Sequence, residues 1–93
     1  MMNENMNNMN MNLTQERPFD ILNKSIGKQV LIRLKNSVNI RGKITSFDAH
    51  MNLVIVNAEE LDSSGEVKTK LGLILLRGGN IIFVSPVEAP DHA

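Results

Sequence analysis

The chain has no cysteine, no tryptophan and no tyrosine, and its only aromatic residues besides histidine are three phenylalanines. Without cysteine, disulfide frameworks, thiolate-bound zinc, iron–sulfur clusters and thiol nucleophiles are excluded together. Long hydrophobic runs are missing as well: stretches such as 73–76 and 81–84 fall far short of the roughly 20 residues that span a bilayer. The first residues lack the basic-then-apolar order of a signal peptide. The expectation is a soluble, cytoplasmic protein with no membrane association. Net charge is absent too, since ten Lys and Arg balance ten Asp and Glu. The balance is uneven along the chain. Residues 17–88 hold all ten cations against seven acids, a mild basic bias that does not by itself mark a nucleic-acid binder.

At 93 residues and 42% hydrophobic content, the chain accommodates one small domain and not two. A domain of this size with no covalent or metal staple must be stabilised by its core or by partner chains, so oligomerisation is expected early. The composition divides it into three parts. Residues 1–16 open with five Met and six Asn in the first twelve positions, show no period of 2 or 3.6, and are expected to be a disordered leader. Residues 17–88 form the folded domain, and 89–93 a tail.

Within the domain the first pattern is helical. From Arg17 to Gly27, Pro18 suits a first helical turn, Phe19, Leu22 and Ile26 recur on one face, and Gly27 is a stop signal. Two to three turns are not stable alone, so this face must pack on the strands of the same domain.

From residue 28 the period becomes 2. Val30, Ile32 and Leu34 alternate with Leu31, Arg33 and Lys35, and Ile40, Gly42 and Ile44 alternate with Arg41, Lys43 and Thr45. For both apolar sets to share a face, paired residue numbers must sum to an even value. Pairing 34 with 40 predicts a three-residue loop at Asn36-Ser37-Val38 and sets Arg33 opposite Arg41 on the outer face. Gly42, with no side chain on the inner face, predicts a sharp bend. Further strands are expected at about 53–58, 67–76 and 80–84, separated by Asp62-Ser63-Ser64-Gly65 and Arg77-Gly78-Gly79. These later strands are apolar on both faces, which one barrel interior cannot absorb; the surplus face needs the helix or another chain. Edge pairing of the fourth strand with the fifth of the next subunit is a head-to-tail contact that can close into a ring.

No catalytic constellation and no cofactor motif stands out, so the chain reads as a non-enzyme. His50 and His92 lie in a loop and in the tail, and Glu59, Glu60 and Asp62 read as a solvated loop rim, not a metal cluster. Two loops remain, Asp48-Ala49-His50-Met51-Asn52 and Arg77-Gly78-Gly79-Asn80. Each alone is an ordinary turn. Together they hold a ring that stacks, an amide that reads a base edge and a planar cation that stacks from the other side, the kit for one unpaired base.

The same stretches resemble a known family. Residues 30–35, 40–44, 47–55 and 58–59, centred on Phe47-Asp48-Ala49-His50-Met51-Asn52-Leu53, look like the first Sm motif, and Leu71-Gly72 with 74–82, centred on Leu76-Arg77-Gly78-Gly79-Asn80, looks like the second. The chain is most similar to archaeal Sm-like (Lsm) proteins. That resemblance implies the Sm fold, a short N-terminal helix on a strongly bent, five-stranded antiparallel SH3-like barrel. It also implies a homo-oligomeric ring, in archaeal members usually a heptamer, binding uridine-rich single-stranded RNA at its pore. Such a ring serves as a ribonucleoprotein scaffold or RNA chaperone. By position, His50 and Arg77 would sandwich a base, Asn52 would bond the uracil edge with the Gly78 backbone close by, and Asp48 would shape its loop. Gly79 departs from the family, where many members carry an Asp that helps orient the Asn; this predicts looser uracil selectivity. A ring used only for protein interaction is the alternative.

Overall fold

The computed structural model describes residues 17–87, so the expected leader, tail and His92 lie outside the described residues. The helix α1 spans Pro18–Ser25, and the strands are β1 (Gln29–Leu34), β2 (Asn39–Phe47), β3 (Leu53–Leu61), β4 (Val67–Leu76) and β5 (Ile81–Pro86), with a 3-10 turn at Gly78–Asn80. They make one antiparallel sheet in the order β4-β3-β2-β1-β5. β3 and β5 each run longer than their expected ends at 58 and 84, because pairing with β2 and β1 continues beyond the apolar runs.

α1 starts where Pro18 costs no hydrogen bond, and Asp20 Oδ2 accepts the Arg17 N–H at 3.2 Å. It presents Leu22 and Ser25 to the sheet, while Ile26 is exposed. Of the expected Phe19, Leu22 and Ile26 face only Leu22 is buried; Phe19 and Ile26 are both exposed. The helix ends at Ser25, Gly27 turns the backbone at φ +84, and the Gly27 N–H donates to Ile44 O at 2.7 Å. Ser25 takes the inward place because its hydroxyl donates to Ile21 O at 2.9 Å, leaving no bare polar atom. Phe19 packs on Phe47 with ring centroids 5.6 Å apart.

The β1–β2 hairpin keeps the expected parity but not the expected register. Ile32 pairs with Ile40 and Arg33 with Asn39, and the loop is Lys35-Asn36-Ser37, closed by the Leu34 N–H on Val38 O at 2.9 Å. Ser37 at φ +69 supplies the left-handed step that a three-residue hairpin loop needs. The shift removes the like-charge pair: Arg33 donates to Asn39 Oδ1 at 2.9 Å, and Arg41 donates to Glu59 Oε1 at 3.0 Å. It also turns Val38 onto the core.

The expected bend at Gly42 is present and has two companions. Arg41 pairs with Glu59 but Lys43 with Val56, so β3 carries an extra residue opposite Gly42, and Asn57 there has φ +55. Across the next pairing Gly72 of β4 has φ +78. Three irregular positions side by side fold the sheet on itself. The bulge also switches parity, so that Ala58 rather than Asn57 follows Leu53 and Ile55 into the core. That core is Leu22, Val30, Ile32, Ile40, Ile44, Leu53, Ile55 and Ala58.

β4 and β5 remain the two edges. Ile74, Leu76, Ile81 and Val84 pack on the core, whereas Leu73, Leu75 and Ile82 are 70%, 65% and 57% exposed. The surplus apolar face is therefore left open within one chain.

A Cβ at Gly42 would run into Ile55 Cγ2 and lie 3.1 Å from both Ala58 Cα and Val56 O. Gly42→Ala should cost about 1–3 kcal/mol of stability through overpacking, read as a lower denaturation midpoint. Gly79→Ala, where a Cβ meets nothing within 4 Å, should leave the midpoint nearly unchanged.

Candidate nucleic-acid interface

The two loops singled out from the sequence meet at one end of the bent sheet. In the β2–β3 loop, Asp48 is the organiser. Its Oδ1 accepts the N–H of His50 at 2.9 Å and of Asn52 at 3.0 Å, and its Oδ2 accepts Asn52 Nδ2 at 3.1 Å. The loop closes through the Met51 N–H on Asp48 O at 3.0 Å, with Met51 itself at φ +65. The Asn52 backbone N–H, helped by the Asn52 amide and the His50 N–H, holds the Asp48 carboxyl below the usual carboxylate range.

The β4–β5 loop docks on this frame. Gly78 N–H donates to Asn52 Oδ1 at 2.8 Å. Any Cβ at Gly78 would overlap His50 O and lie 2.9 Å from Met51 O, so only glycine admits this backbone-to-backbone approach. The 3-10 turn is held by Asn80 N–H on Arg77 O at 2.9 Å, and Lys35 N–H donates to Asn80 O at 2.8 Å, tying in the β1–β2 hairpin.

His50, Asn52 and Arg77, with Gly79 and Asn80, line an open cleft of about 500 Å³. The structure thus brings together the three side chains expected at the site and puts the Gly78 backbone behind Asn52. Gly79 and Asn80 are the lining residues the sequence reading did not assign to the site; nothing in their loop positions separates a cleft residue from a turn former. His50 and Arg77 are both exposed. The Asn52 amide has only one permitted direction. A carboxylate accepts only, so Nδ2 must face Asp48, and an N–H donates only, so Oδ1 must face Gly78. The orientation that the family resemblance attributes to a carboxylate at position 79 is supplied here by Asp48, so Gly79 does not leave the amide loose.

The acidic stretch is spoken for elsewhere: Glu59 pairs with Arg41 at 3.0 Å, Glu60 with Lys68 at 3.7 Å, and Asp62 caps its own turn through the Ser64 and Glu66 N–H groups.

The LSM domain model matches residues 20–86. The chain belongs to the LSM domain family. This Sm-like chain is 49% identical to an snRNP Sm-like protein of Methanosarcina barkeri over 70 residues, 75% of this chain and 96% of that one. It is 47% identical to an snRNP Sm-like protein of Pyrococcus furiosus over 73 residues, 78% of this chain and 95% of that one. Among solved structures it superposes on the Sm protein of Pyrococcus abyssi in complex with a uridine heptamer, with a TM-score of 0.73, 39% identity, and coverage of 77% of this chain and 100% of that one. A heptameric archaeal Sm protein gives a TM-score of 0.67 at 48% identity, covering 73% and 97%.

Because the Asp48 pKa is lowered by folding, its contribution is present above the ordinary carboxyl pKa of about 4 and is lost as pH falls through the lower folded value. The Asn52 backbone amide resonance should hold its position from neutral pH to about 4 and shift chiefly below it.

Proposed function

We propose that this Sm-like protein is an RNA-binding ring that takes uridine-rich single-stranded RNA at its pore, one base per subunit, and acts as a ribonucleoprotein scaffold or RNA chaperone. The observation that carries the reading is the fixed Asn52 amide beside an exposed imidazole and an exposed guanidinium in one cleft. The imidazole and guanidinium planes offer two faces for one base. With one amide hydrogen on Asp48 and one oxygen lone pair on Gly78, Asn52 keeps one donor and one acceptor. Uracil presents the complement, an N3–H donor and an O4 acceptor. Cytosine presents an N3 acceptor and an amino donor, so it would require the amide to turn over, breaking both buttressing bonds. Adenine presents the same reversed pattern. Guanine has the uracil-like order but is a larger ring.

Ring assembly follows from the edges. β4 and β5 each leave a strand edge and apolar side chains unpaired, and joining the β4 edge of one subunit to the β5 edge of the next covers both. The similar archaeal Sm protein is a heptamer, and the similar P. abyssi protein was solved with a uridine heptamer. Seven subunits is the expected ring here. The domain is taken as residues 17–88, flanked by the 1–16 leader and the 89–93 tail. No helix among the described residues is long and apolar enough to cross a membrane, and a cytoplasmic location suits an RNA scaffold.

His50→Ala, Asn52→Ala and Arg77→Ala should each weaken oligouridine binding by at least about tenfold, because stacking is worth about 1–3 kcal/mol per base and each change recurs in every subunit. Fluorescence anisotropy against oligouridine, oligocytidine and oligoadenosine should show Asn52→Ala eroding the uracil preference while Arg77→Ala flattens the salt dependence. If all three variants bind as the unsubstituted protein does, the interaction-only ring becomes the better reading.

Leu73→Lys places a charge on the most exposed apolar side chain of β4. It should lower the native mass from that of a ring toward about 10 kDa with secondary structure retained; an unchanged ring mass would remove β4 from the subunit contact.

A further inference from the structure

A second, smaller cleft of about 190 Å³ lies against the base cleft, lined by Leu34, Lys35, Asn36 and Asn80. Asn80 lines both, and its carbonyl takes the Lys35 N–H at 2.8 Å, so one residue forms the partition between them. The lining has no ring or guanidinium on which a base could stack. It has donors instead. The Asn36 Oδ1 is occupied by the Val38 N–H at 3.3 Å, which leaves the NH2 as the open group of the Asn36 amide. Asn80 adds an amide, and Lys35 is exposed and enters no ion pair among the described residues. Three donors, one of them cationic, around a pocket that offers no stacking face fit a phosphodiester.

We propose that the Lys35–Asn36–Asn80 cleft is a backbone subsite that takes the phosphate of the nucleotide adjoining the one whose base lies between His50 and Arg77, so that a single strand crosses each subunit over Asn80. This rests on the RNA reading of the base cleft and adds a direction to it. The β1–β2 hairpin becomes part of the binding surface, and each subunit holds one base and one phosphate, which keeps the strand in step with the ring.

The test uses the full chain and Lys35→Gln, which removes the charge from an exposed turn and leaves the Lys35 backbone N–H in place. Lys43→Gln is the control. It removes the same charge from the exposed face of β2, at the Gln29 end of the hairpin and away from the Lys35 turn. Anisotropy with a seven-uridine oligonucleotide over a range of salt should show Lys35→Gln weakening binding by at least about tenfold and reducing the slope of log Kd against log salt by about 0.7 per occupied subunit. Uridine nucleoside, which carries no phosphate, should bind Lys35→Gln and the unsubstituted protein alike, followed by its perturbation of the His50 ring resonances. Equal slopes for Lys35→Gln and the unsubstituted protein overturn the subsite while leaving the base cleft standing, as does an equal loss in Lys43→Gln. Failure of the unsubstituted protein to bind oligouridine overturns both readings together.

Discussion

The site depends on the hydrogen-bond chain from Asp48 through the Asn52 amide to the Gly78 N–H. Remove the carboxylate and the amide loses one of the two bonds that fix its direction; remove the amide and the β4–β5 loop loses its only side-chain tether to the β2–β3 loop among the described residues. The chain is short, fully directional, and made of groups that cannot exchange donor for acceptor roles at neutral pH. That rigidity gives an exposed loop pair the character of a prepared receptor, because the cost of ordering the reading amide is met in folding and not on binding.

The contact joins loops some 26 residues apart in sequence and follows from the strand pairing: Leu53 at the start of β3 pairs with Phe47 of β2 on one side and with Leu76 of β4 on the other. Gly42, Asn57 and Gly72 lie on three adjacent strands at the same level, and each gives up regular pleating there. The bulge at Asn57 keeps the inward series apolar through the irregularity. Gly78 completes the approach by carrying no side chain where two backbones nearly touch. Core and cleft are coupled at Leu53, a buried residue whose pairing with Phe47 and Leu76 sets the His50 and Arg77 loops side by side.

The edges show the complementary logic. With eight buried hydrophobic residues among the described residues and a further set of exposed Leu, Ile and Phe on β4 and β5, the domain is incomplete alone. Its open edges are a liability in a monomer and the means of assembly in a ring. The loop cleft, the neighbouring Lys35 turn and the two open edges are then consequences of one five-stranded topology.

Much of this was legible in the residues. Period-2 alternation in 30–34 and 40–44, the glycine at 42, the two-sided apolar strands and the pairing of a His-Met-Asn loop with an Arg-Gly loop follow from local chemistry and family resemblance. Alternation therefore determined the strands and their inner face by itself. It could not choose between registers of equal parity. That choice was decided by the Ser37 turn and by the partners that Arg33 and Arg41 find in Asn39 and Glu59, which are contacts across strands. Nor could it show that Ser25 rather than Ile26 faces inward, that Asn57 steps out of the core, or that Asn80 divides two clefts. Each of these turns on where the backbone leaves its regular path, and that is set by the closeness of other strands, a property of the folded whole.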